Sequence, residues 1–193
     1  MKRAHCPHCY YPLNTCICES LSLVDTDVAV SILQDPTETK HAKNTARLAA
    51  LIVPQVKIYV GESRLDFTKV IAKVTQTENS LLIYPSHSAL DINHDSIKMG
   101  QYKHLILLDG TWRKAKKLWL NNPWLHELDA AKLELNDKSQ YSIRKSPTTK
   151  ALSTLEALAY SLNALEGKPV APFLHVLSAM QQHWQNNQPN SSH

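Results

Sequence analysis

Four cysteines near the start of the chain are the first residues whose types and spacing predict chemistry. They are the only cysteines among 193 residues: Cys6, Cys9, Cys16 and Cys18. The first pair has C-x2-C spacing and the second has C-x-C spacing, so four thiolates can close around one tetrahedral ion as a structural zinc site. His5 and His8 are competing ligands, and a small flap with unligated cysteines is the alternative. Because no apolar signal segment precedes them, we expect a reducing, cytoplasmic environment without disulfides.

A second group, Asp109-Gly110-Thr111-Trp112, directly follows the apolar run 105–108. Gly110 permits a tight turn with the backbone close to a ligand. Asp109 places a carboxylate where a base or a hydrogen-bond acceptor is useful. The alternative is a plain strand-to-helix turn, in which Asp109 or Thr111 caps the helix and Trp112 packs.

Two cationic segments lie beside the predicted ligand loops. The loop 139–150 combines hydroxyl groups with cations and leads into a predicted helix, and helix N-termini attract carboxylates and phosphates. Four further cations follow Trp112 directly: Arg113, Lys114, Lys116 and Lys117. Such a run is compatible with a solvated helix face. Two basic clusters flanking two ligand loops instead favour a groove for a polyanion.

Apolar strands and helical patterns alternate along the chain. Strands are predicted at 28–33, 57–60, 81–84, 105–108 and 133–135. Helices are predicted at 36–53, 67–74, around 115–119, 152–165 and 172–184, the first with a capping box formed by Asp35 and Glu38. This alternation predicts an α/β fold with a largely parallel sheet. In such a sheet ligands bind beyond the carboxyl ends of the strands, where all the candidate loops begin.

The composition narrows the class of protein. With 43% hydrophobic and 20% charged residues and a formal net charge of +4, the chain can build a packed core. No apolar run reaches the roughly 18 residues that cross a bilayer, so no membrane association is expected. The sequence lacks Gly-x-Gly-x-x-Gly, Gly-Lys-Ser/Thr and Gly-x-Ser-x-Gly motifs. This disfavours Rossmann-type methyl transfer, nucleotide hydrolysis and esterase chemistry.

Six blocks, in order, resemble the DTW-domain family, which is named for its Asp-x-Thr-Trp motif. They are the cysteine pattern, Asn-Thr-Ala-Arg-Leu at 44–48, Tyr-Pro-Ser at 84–86, Leu-Leu-Asp-Gly-Thr-Trp at 107–112, Ser-x-Tyr-x-Ile-Arg-Lys at 139–145 and Leu-Ser-Thr-Leu-Glu-Ala at 152–157. Together they cover most of residues 6–165. One departure is plain, because the family segment His-Pro-x-Glu reads Asp35-Pro36-Thr37-Glu38 here. Any role of that histidine does not carry over to this chain.

The resemblance implies a tRNA-uridine aminocarboxypropyltransferase. Such an enzyme moves the 3-amino-3-carboxypropyl group of S-adenosylmethionine to N3 of a uridine, in bacterial members in the variable loop of tRNA, and releases methylthioadenosine. The resemblance also implies a SPOUT-like α/β fold with a trefoil knot around the S-adenosylmethionine site. We therefore expect a zinc-binding knuckle at 1–20, a catalytic DTW domain at 21–184 and a polar tail at 185–193. The oligomeric state is left open, with a monomer favoured.

The resemblance also implies roles for individual residues. Asp109 is the expected general base or acceptor for the N3 proton, and Thr111 and Trp112 are the other catalytic candidates. The S-adenosylmethionine site is expected to include these three residues together with Pro85, Ser86, Leu108, Ile143, Leu152, Ser153 and Thr154. Contacts to tRNA phosphates are expected from Arg47, Arg113, Lys114, Lys116, Lys117, Arg144 and Lys145.

Three alternatives share part of this pattern. A SPOUT-like RNA methyltransferase would use the same cofactor and partner but release S-adenosylhomocysteine. A non-catalytic zinc-containing RNA-binding protein would not bind S-adenosylmethionine. An aminocarboxypropyltransferase for ribosomal RNA would differ only in the RNA that it modifies.

Overall fold

Six parallel strands form one sheet in the order β2-β1-β5-β3-β6-β4. The computed structural model describes residues 4–41, 43–77, 79–134, 140 and 152–186. Of these, residues 184–186 are described by their backbone alone. The strands are β1 (Ala29–Gln34), β2 (Val56–Val60), β3 (Ser80–Ile83), β4 (Leu90–Asp91), β5 (His104–Asp109) and β6 (Asp129–Lys132). Every strand pair is parallel, which confirms the predicted α/β fold with a parallel sheet.

Helices cover both faces of the sheet. They are α1 (Thr45–Ile52), α2 (Thr68–Gln76), α3 (Asp95–Met99), α4 (Trp112–Asn121), α5 (Thr154–Glu166) and α6 (Ala171–Asn186). Helices α1, α5 and α6 pack on one face, and α2 and α4 pack on the other. Central strands are therefore buried on both faces, which explains their continuous apolar sequences. Within the described residues, no helix is both long and apolar enough to span a membrane.

Strand β5 shows how the two cores share one element. Leu105 and Leu107 point into the core beneath α1, α5 and α6, whereas Ile106 points into the core beneath α2 and α4. All three are nearly inaccessible to solvent. The cysteine segment belongs to the first of these cores, because Cys9 and Ile17 are buried in the same cluster. The sheet thus anchors the cysteine segment as well as the helices.

The prediction for the start of the first helix is wrong. Residues Pro36–Glu38 form a single 3-10 turn, and α1 begins only at Thr45. The side chain of Asn44 caps α1 by accepting the Arg47 N–H at 3.0 Å. Asn44 is therefore the N-cap that the sequence pattern assigned to Asp35.

The expected capping box does not form because both of its members have other partners. The N–H group of Asp35 donates to the carbonyl of Asp109 at 3.2 Å. The carboxylate of Glu38 accepts from Lys114 Nζ at 2.7 Å. The Asp35 side chain still caps the short turn by accepting the Thr37 N–H at 2.9 Å. Contacts to the neighbouring strand end thus replace contacts within the turn.

The fifth predicted strand lies earlier than expected. Strand β6 ends at Lys132, so Leu133 follows it and Leu135 lies outside the described residues. Its alanines, Ala130 and Ala131, are buried against β3 and gave a weak apolar signal. The two-residue strand β4 and the short helix α3 were not predicted. Most of the connection from β6 to α5 lies outside the described residues, and the trefoil knot therefore stays a prediction.

Candidate active site and metal-binding segment

The carboxylate of Asp109 is held by two side chains at the carboxyl edge of the sheet. Gln34 Nε2 donates to its Oδ2 at 2.8 Å, and Thr154 Oγ1 donates to its Oδ1 at 2.5 Å. Asp109 is only 5% exposed and Gln34 only 3%. Gln34 ends β1, Asp109 ends β5 and Thr154 begins α5, so the carboxylate lies where these three elements meet.

Strand register brings the expected loops to the same edge. Gln34 pairs with Asp109 across the β1–β5 ladder, and Ile83 pairs with Leu107 across the β3–β5 ladder. Pro85 and Ser86 therefore leave the sheet beside the Asp109 turn. Pro85 is exposed and Ser86 is half-buried, with its Oγ 3.4 Å from Ser88 Oγ. Leu108 is half-buried and packs on the opposite sheet face from Asp109.

Gly110 makes the turn from β5 into α4. Its φ of 153° is rarely adopted by residues with a side chain, and a Cβ there would lie 2.9 Å from Lys114 Cβ. Thr111 then caps α4, because its hydroxyl accepts the Lys114 N–H at 3.4 Å. Trp112 begins the helix with 47% of its surface exposed. The turn thus leaves a large aromatic ring open to a ligand beside Asp109.

An aromatic stack fixes the loop after β3 against α4. The Tyr84 ring stacks on the Trp119 ring with their centroids 5.6 Å apart. The centroids of the Trp119 and His126 rings are 4.0 Å apart. His126 Nε2 also lies 2.9 Å from the Trp119 carbonyl. This stack positions Pro85 relative to the helix that follows the DTW motif.

The start of α5 uses its hydroxyl groups inside the protein. Ser153 and Glu156 form a capping box, in which the carboxylate accepts from the Ser153 N–H and Oγ at 2.8 Å each. Glu156 is fully buried and also accepts the Gln140 N–H at 2.7 Å. Leu152 is half-buried just before this cap. Thus Ser153 binds Glu156 and Thr154 binds Asp109, where donor-binding roles were predicted for both hydroxyls.

The basic run after Trp112 divides into paired and exposed cations. Lys114 forms a partly buried ion pair with Glu38 at 2.7 Å, and Lys117 forms an exposed one with Glu62 at 2.7 Å. The other two cations, Arg113 and Lys116, are exposed. The last predicted members of the site, Ile143, Arg144 and Lys145, lie outside the described residues.

Asp35, at the position where the resemblance implied a histidine, contacts the Asp109 turn through its backbone N–H group. Burial raises the pKa of its carboxyl, but hydrogen bonds from the Thr37 hydroxyl and N–H and the charges of Lys114 and Lys117 outweigh this, so the pKa is lowered. The side chain is therefore a charged cap of the Pro36–Glu38 turn. Together with the Lys114–Glu38 pair, it joins this turn to α4.

The four cysteine sulfurs have the spacing of metal ligands. All of them lie within 4.8 Å of one another. Cys6 Sγ lies 3.5 Å from Cys18 Sγ, and Cys9 Sγ lies 3.7 Å from Cys16 Sγ. Four sulfurs arranged tetrahedrally at about 2.3 Å from one ion would be about 3.8 Å apart. The two S–S distances given are close to this value, so the cluster could hold a metal ion.

The thiol of Cys6 is polarised toward the thiolate, whereas the thiols of Cys16 and Cys18 hold their protons more tightly. Backbone N–H groups of Cys9 and His8 donate to Cys6 and lower the pKa of its thiol to about 6. Sulfur–sulfur hydrogen bonds with Cys16 and Cys6 raise the pKa of Cys18 to about 12. Neighbouring thiols thus share protons, and a cation at their centre would take the place of those protons.

Arg47 links the cysteine segment to α1. Its guanidinium carbon lies 4.2 Å from the centroid of the Tyr11 ring, which is buried. Within the described part of the chain, Arg47 Nε and Tyr11 Oη are buried without a partner at hydrogen-bonding geometry. The residue predicted to touch tRNA therefore also supports the metal-binding segment through its side chain.

Comparison with known proteins shows the family. The DTW domain model matches residues 3–185, so the chain belongs to the DTW domain family, as its motifs predicted. The chain is 33% identical over 174 residues to tRNA-uridine aminocarboxypropyltransferase 2 of Drosophila melanogaster, which covers 87% of this chain and 69% of that protein. It is 29% identical over 171 residues to the Mus musculus protein of the same name, covering 86% and 57%. No solved structure matches the chain.

A plant relative is more distant. The chain is 24% identical over 200 residues to tRNA-uridine aminocarboxypropyltransferase A of Arabidopsis thaliana, which covers 86% of this chain and 74% of that protein. The chain spans little more than half the length of the mouse protein. The animal and plant relatives share the name of the enzyme class that the motifs implied.

Sequence reasoning missed two residues of the site. Gln34 carried no signal, because it ends an apolar strand and meets Asp109 across 75 positions of sequence. Glu38 was assigned to a capping box instead of to Lys114. Strand pairing creates the first contact, and the packing of α4 against the Pro36–Glu38 turn creates the second.

Proposed function

We propose that this chain transfers the 3-amino-3-carboxypropyl group of S-adenosylmethionine to N3 of a tRNA uridine, in the variable loop. The observation that carries the proposal is the buried Asp109 carboxylate of the DTW motif, held at the ligand edge of the sheet three residues before the half-exposed Trp112. The named activity of the relatives supports the same reaction.

The reaction forms one bond and breaks another. Uridine N3 attacks Cγ of the aminocarboxypropyl arm, and the Cγ–sulfur bond breaks. The electron pair of that bond stays on sulfur, so the sulfonium becomes the neutral thioether of methylthioadenosine. N3 loses its proton in the same process. The protein must align N3 with Cγ at a near-attack distance of about 3 to 3.5 Å and keep the methyl carbon out of line.

Asp109 would serve as the acceptor for the N3 proton. Its two hydrogen-bonded oxygens give it a fixed orientation, which a proton acceptor needs. The Trp112 face would stack on the uracil or on the sulfonium, since both fit an exposed aromatic ring. Thr111 would orient this turn as the cap of α4.

S-adenosylmethionine would lie along the edge formed by the loops after β3 and β5 and by the start of α5. Pro85, Ser86 and Leu108 border this edge on one side, and Leu152, Ser153 and Thr154 border it on the other. Arg113 and Lys116 are exposed on α4 next to it and would contact tRNA phosphates. A SPOUT-like trefoil knot is part of this proposal, and the all-parallel sheet is compatible with it.

We propose zinc as the ion of the cysteine cluster. A cluster of four cysteine sulfurs suits zinc and would leave no open position for a reactive water. The ion would therefore have a structural role.

Product analysis tests the proposed function. The protein is incubated with tRNA lacking the modification and with S-adenosylmethionine labelled in the aminobutyrate arm, and the digested nucleosides are identified by mass spectrometry. We expect labelled aminocarboxypropyluridine and methylthioadenosine in equal amounts. A tRNA with cytidine at the modified position is the matched control and should remain unlabelled.

Other products would identify the alternatives. Methylated nucleoside with S-adenosylhomocysteine would make the protein a methyltransferase. Labelled ribosomal RNA with unlabelled tRNA would change the substrate. RNA binding without any product or donor binding would leave a non-catalytic RNA-binding protein.

A further inference from the structure

We propose that Gln34 and Thr154 are positioning residues that together hold the Asp109 carboxylate charged and in one orientation for the transfer reaction. This inference rests on the proposed function of Asp109. We refer to the three residues as the Asp109 clamp.

The clamp joins three separate elements through side chains alone. Gln34 Nε2 reaches Oδ2 at 2.8 Å from the end of β1, and Thr154 Oγ1 reaches Oδ1 at 2.5 Å from the start of α5. One donor binds each carboxylate oxygen, so a rotation of the carboxylate would break both hydrogen bonds. Two donors on different elements therefore define one orientation.

The chemical identity of the donors follows from the acceptor. An ionised carboxylate only accepts hydrogen bonds, so Gln34 must present its NH₂ group and not its carbonyl oxygen. Donors that bind the charged form favour it over the protonated form. Thr154 is also the first residue of α5, where the helix dipole adds a positive partial charge. Burial of the carboxylate disfavours the anion, and these three effects oppose the effect of burial.

The position of the clamp argues against a purely structural role. The β1–β5 ladder pairs residues from Ala29 with His104 through Gln34 with Asp109, so register does not require these side chains. Apolar residues fill the equivalent inward positions one turn of the pleat earlier, at Ile32 and Leu107. At this end of both strands, buried polar side chains replace the apolar core, at the edge where ligands bind in such a sheet.

The first test replaces the amide donor by a titratable one. In Gln34→Glu, the protonated carboxyl can donate a hydrogen bond to Asp109 at low pH, as the amide does in wild type. It loses the proton as pH rises, and two anions then face each other. We expect the ratio of the kcat of Gln34→Glu to that of wild type to fall at least tenfold as pH rises from 6 to 9. The KM for S-adenosylmethionine should change less than threefold. Gln76→Glu makes the same change at an exposed position of α2, and its kcat should follow the wild-type pH profile.

The second test removes the other donor without changing its shape. Thr154→Val lacks the hydroxyl, and Thr154→Ser keeps it. We expect Thr154→Val to lower kcat by roughly 10 to 10²-fold, within the range of losing part of a positioned acid–base group, and Thr154→Ser to restore most of it. A structural effect of the β-methyl group would give the opposite ranking.

A readout without activity separates the clamp from the proposed function. The side-chain carboxyl ¹³C resonance of Asp109 is followed through a pH titration by NMR in wild type, Thr154→Val and Thr154→Ser. We expect the midpoint to move to higher pH in Thr154→Val alone. If wild type forms no aminocarboxypropyl product, the proposed function fails while this titration still tests the clamp. Equal midpoints together with parallel pH profiles for Gln34→Glu and wild type would overturn the inference.

Discussion

At the scale of single residues, the substitution Asp109→Asn separates the charge of the carboxylate from its shape. Asp109→Asn keeps the shape of the side chain, and Gln34 can turn its amide to accept the new NH₂ group. The fold should therefore persist while the negative charge is lost. We expect the transfer rate to fall by roughly 10² to 10⁴-fold, the usual effect of losing a positioned acid or base. S-adenosylmethionine affinity, measured by calorimetry, should change only a few-fold.

Asp129→Asn is the matched control for this substitution. Asp129 also accepts a side-chain hydrogen bond, from Tyr102 at 2.9 Å, but it begins β6 at the opposite edge of the sheet. Its turnover should equal that of wild type. Near-normal turnover in Asp109→Asn would rule out the base role, because asparagine keeps the shape of aspartate but not its basicity.

His104 gives the stability of the protein a defined pH dependence. It begins β5 and is buried, with Ser31 Oγ 2.8 Å from Nε2 and Ser80 Oγ 3.3 Å from Nδ1. Burial, with a smaller effect of the Lys73 charge, lowers its pKa to about 4 from 6.5. The unfolded chain then binds more protons between these values. The free energy of unfolding should therefore decrease as pH falls from 6.5 to 4, by at most about 3 kcal/mol from this residue.

Urea unfolding at pH 7.5 and pH 5 measures this effect. His104→Asn removes the titrating group, so its stability should change less between the two pH values than that of wild type. His87→Asn, at an exposed position, should keep the wild-type difference. An equal pH dependence in His104→Asn and wild type would contradict the assignment.

At the residue scale, the sequence predicted local geometry correctly and missed contacts that depend on distant pairing, while the catalytic roles stay predictions. Asp109 and Thr111 could be recognised, because an apolar run followed by Asp-Gly-Thr-Trp already describes a strand, a turn and a cap. Gln34 could not, because its donor group meets Asp109 only after β5 has inserted beside β1. The four cysteines were recognisable from spacing alone, since metal ligands lie close in sequence.

At the scale of elements, α4 separates two uses of lysine. Its exposed stripe carries Arg113 and Lys116, while Lys114 turns inward to Glu38. We expect Lys116→Gln to reduce the salt dependence of tRNA binding by about one in the log–log slope, since one phosphate contact is lost. Lys114→Gln should instead lower the free energy of unfolding by roughly 1 to 2 kcal/mol, because the partly buried Glu38 carboxylate loses its charged donor.

Filter binding across a salt series and urea unfolding distinguish the two lysines. Lys103→Gln, an exposed lysine at the opposite edge of the sheet, controls for the change in net charge. If Lys114→Gln changed the salt slope and left stability intact, Lys114 would be a tRNA contact as first predicted.

Element boundaries show why pattern reasoning placed α1 too early. Asp35, Pro36 and Glu38 carry the same local signals at the start of a 3-10 turn as at the start of an α-helix. The choice was made by tertiary partners of these residues on β5 and α4, which no local pattern contains. In contrast, α5 has a cap, an apolar stripe and a glycine C-cap at Gly167, and its predicted extent agrees with the structure.

At the scale of the whole molecule, the cysteine segment depends on the sheet and supports it in return. Cys9 and Ile17 are buried in the core beneath α1, and Tyr11 lies under Arg47. We expect about one zinc per chain by metal analysis. Chelation, or Cys16→Ser, should lower the melting temperature and expose the segment around Tyr11 to proteolysis.

Donor binding separates a structural metal from a catalytic one. S-adenosylmethionine affinity of the metal-depleted but still folded protein should stay within a few-fold of that of the intact protein, because the Asp109 clamp shares no residue with the cluster. Freely reactive thiols and no bound metal in native protein would contradict the assignment. A complete loss of donor affinity on chelation would place the metal in the active site.

The strand order has a consequence for synthesis on the ribosome. Strands β1 and β2 are neighbours in sequence and in space, but the place between β1 and β3 stays vacant until β5 has been translated. Asp109 then gains Gln34 as its partner and still lacks Thr154, which emerges 45 residues later. Contacts between distant residues form slowly, and exposed strand edges in the meantime invite association. A nascent chain of this protein therefore carries an open sheet until β5 has emerged, and the Asp109 carboxylate gains both of its side-chain partners only once α5 begins to emerge.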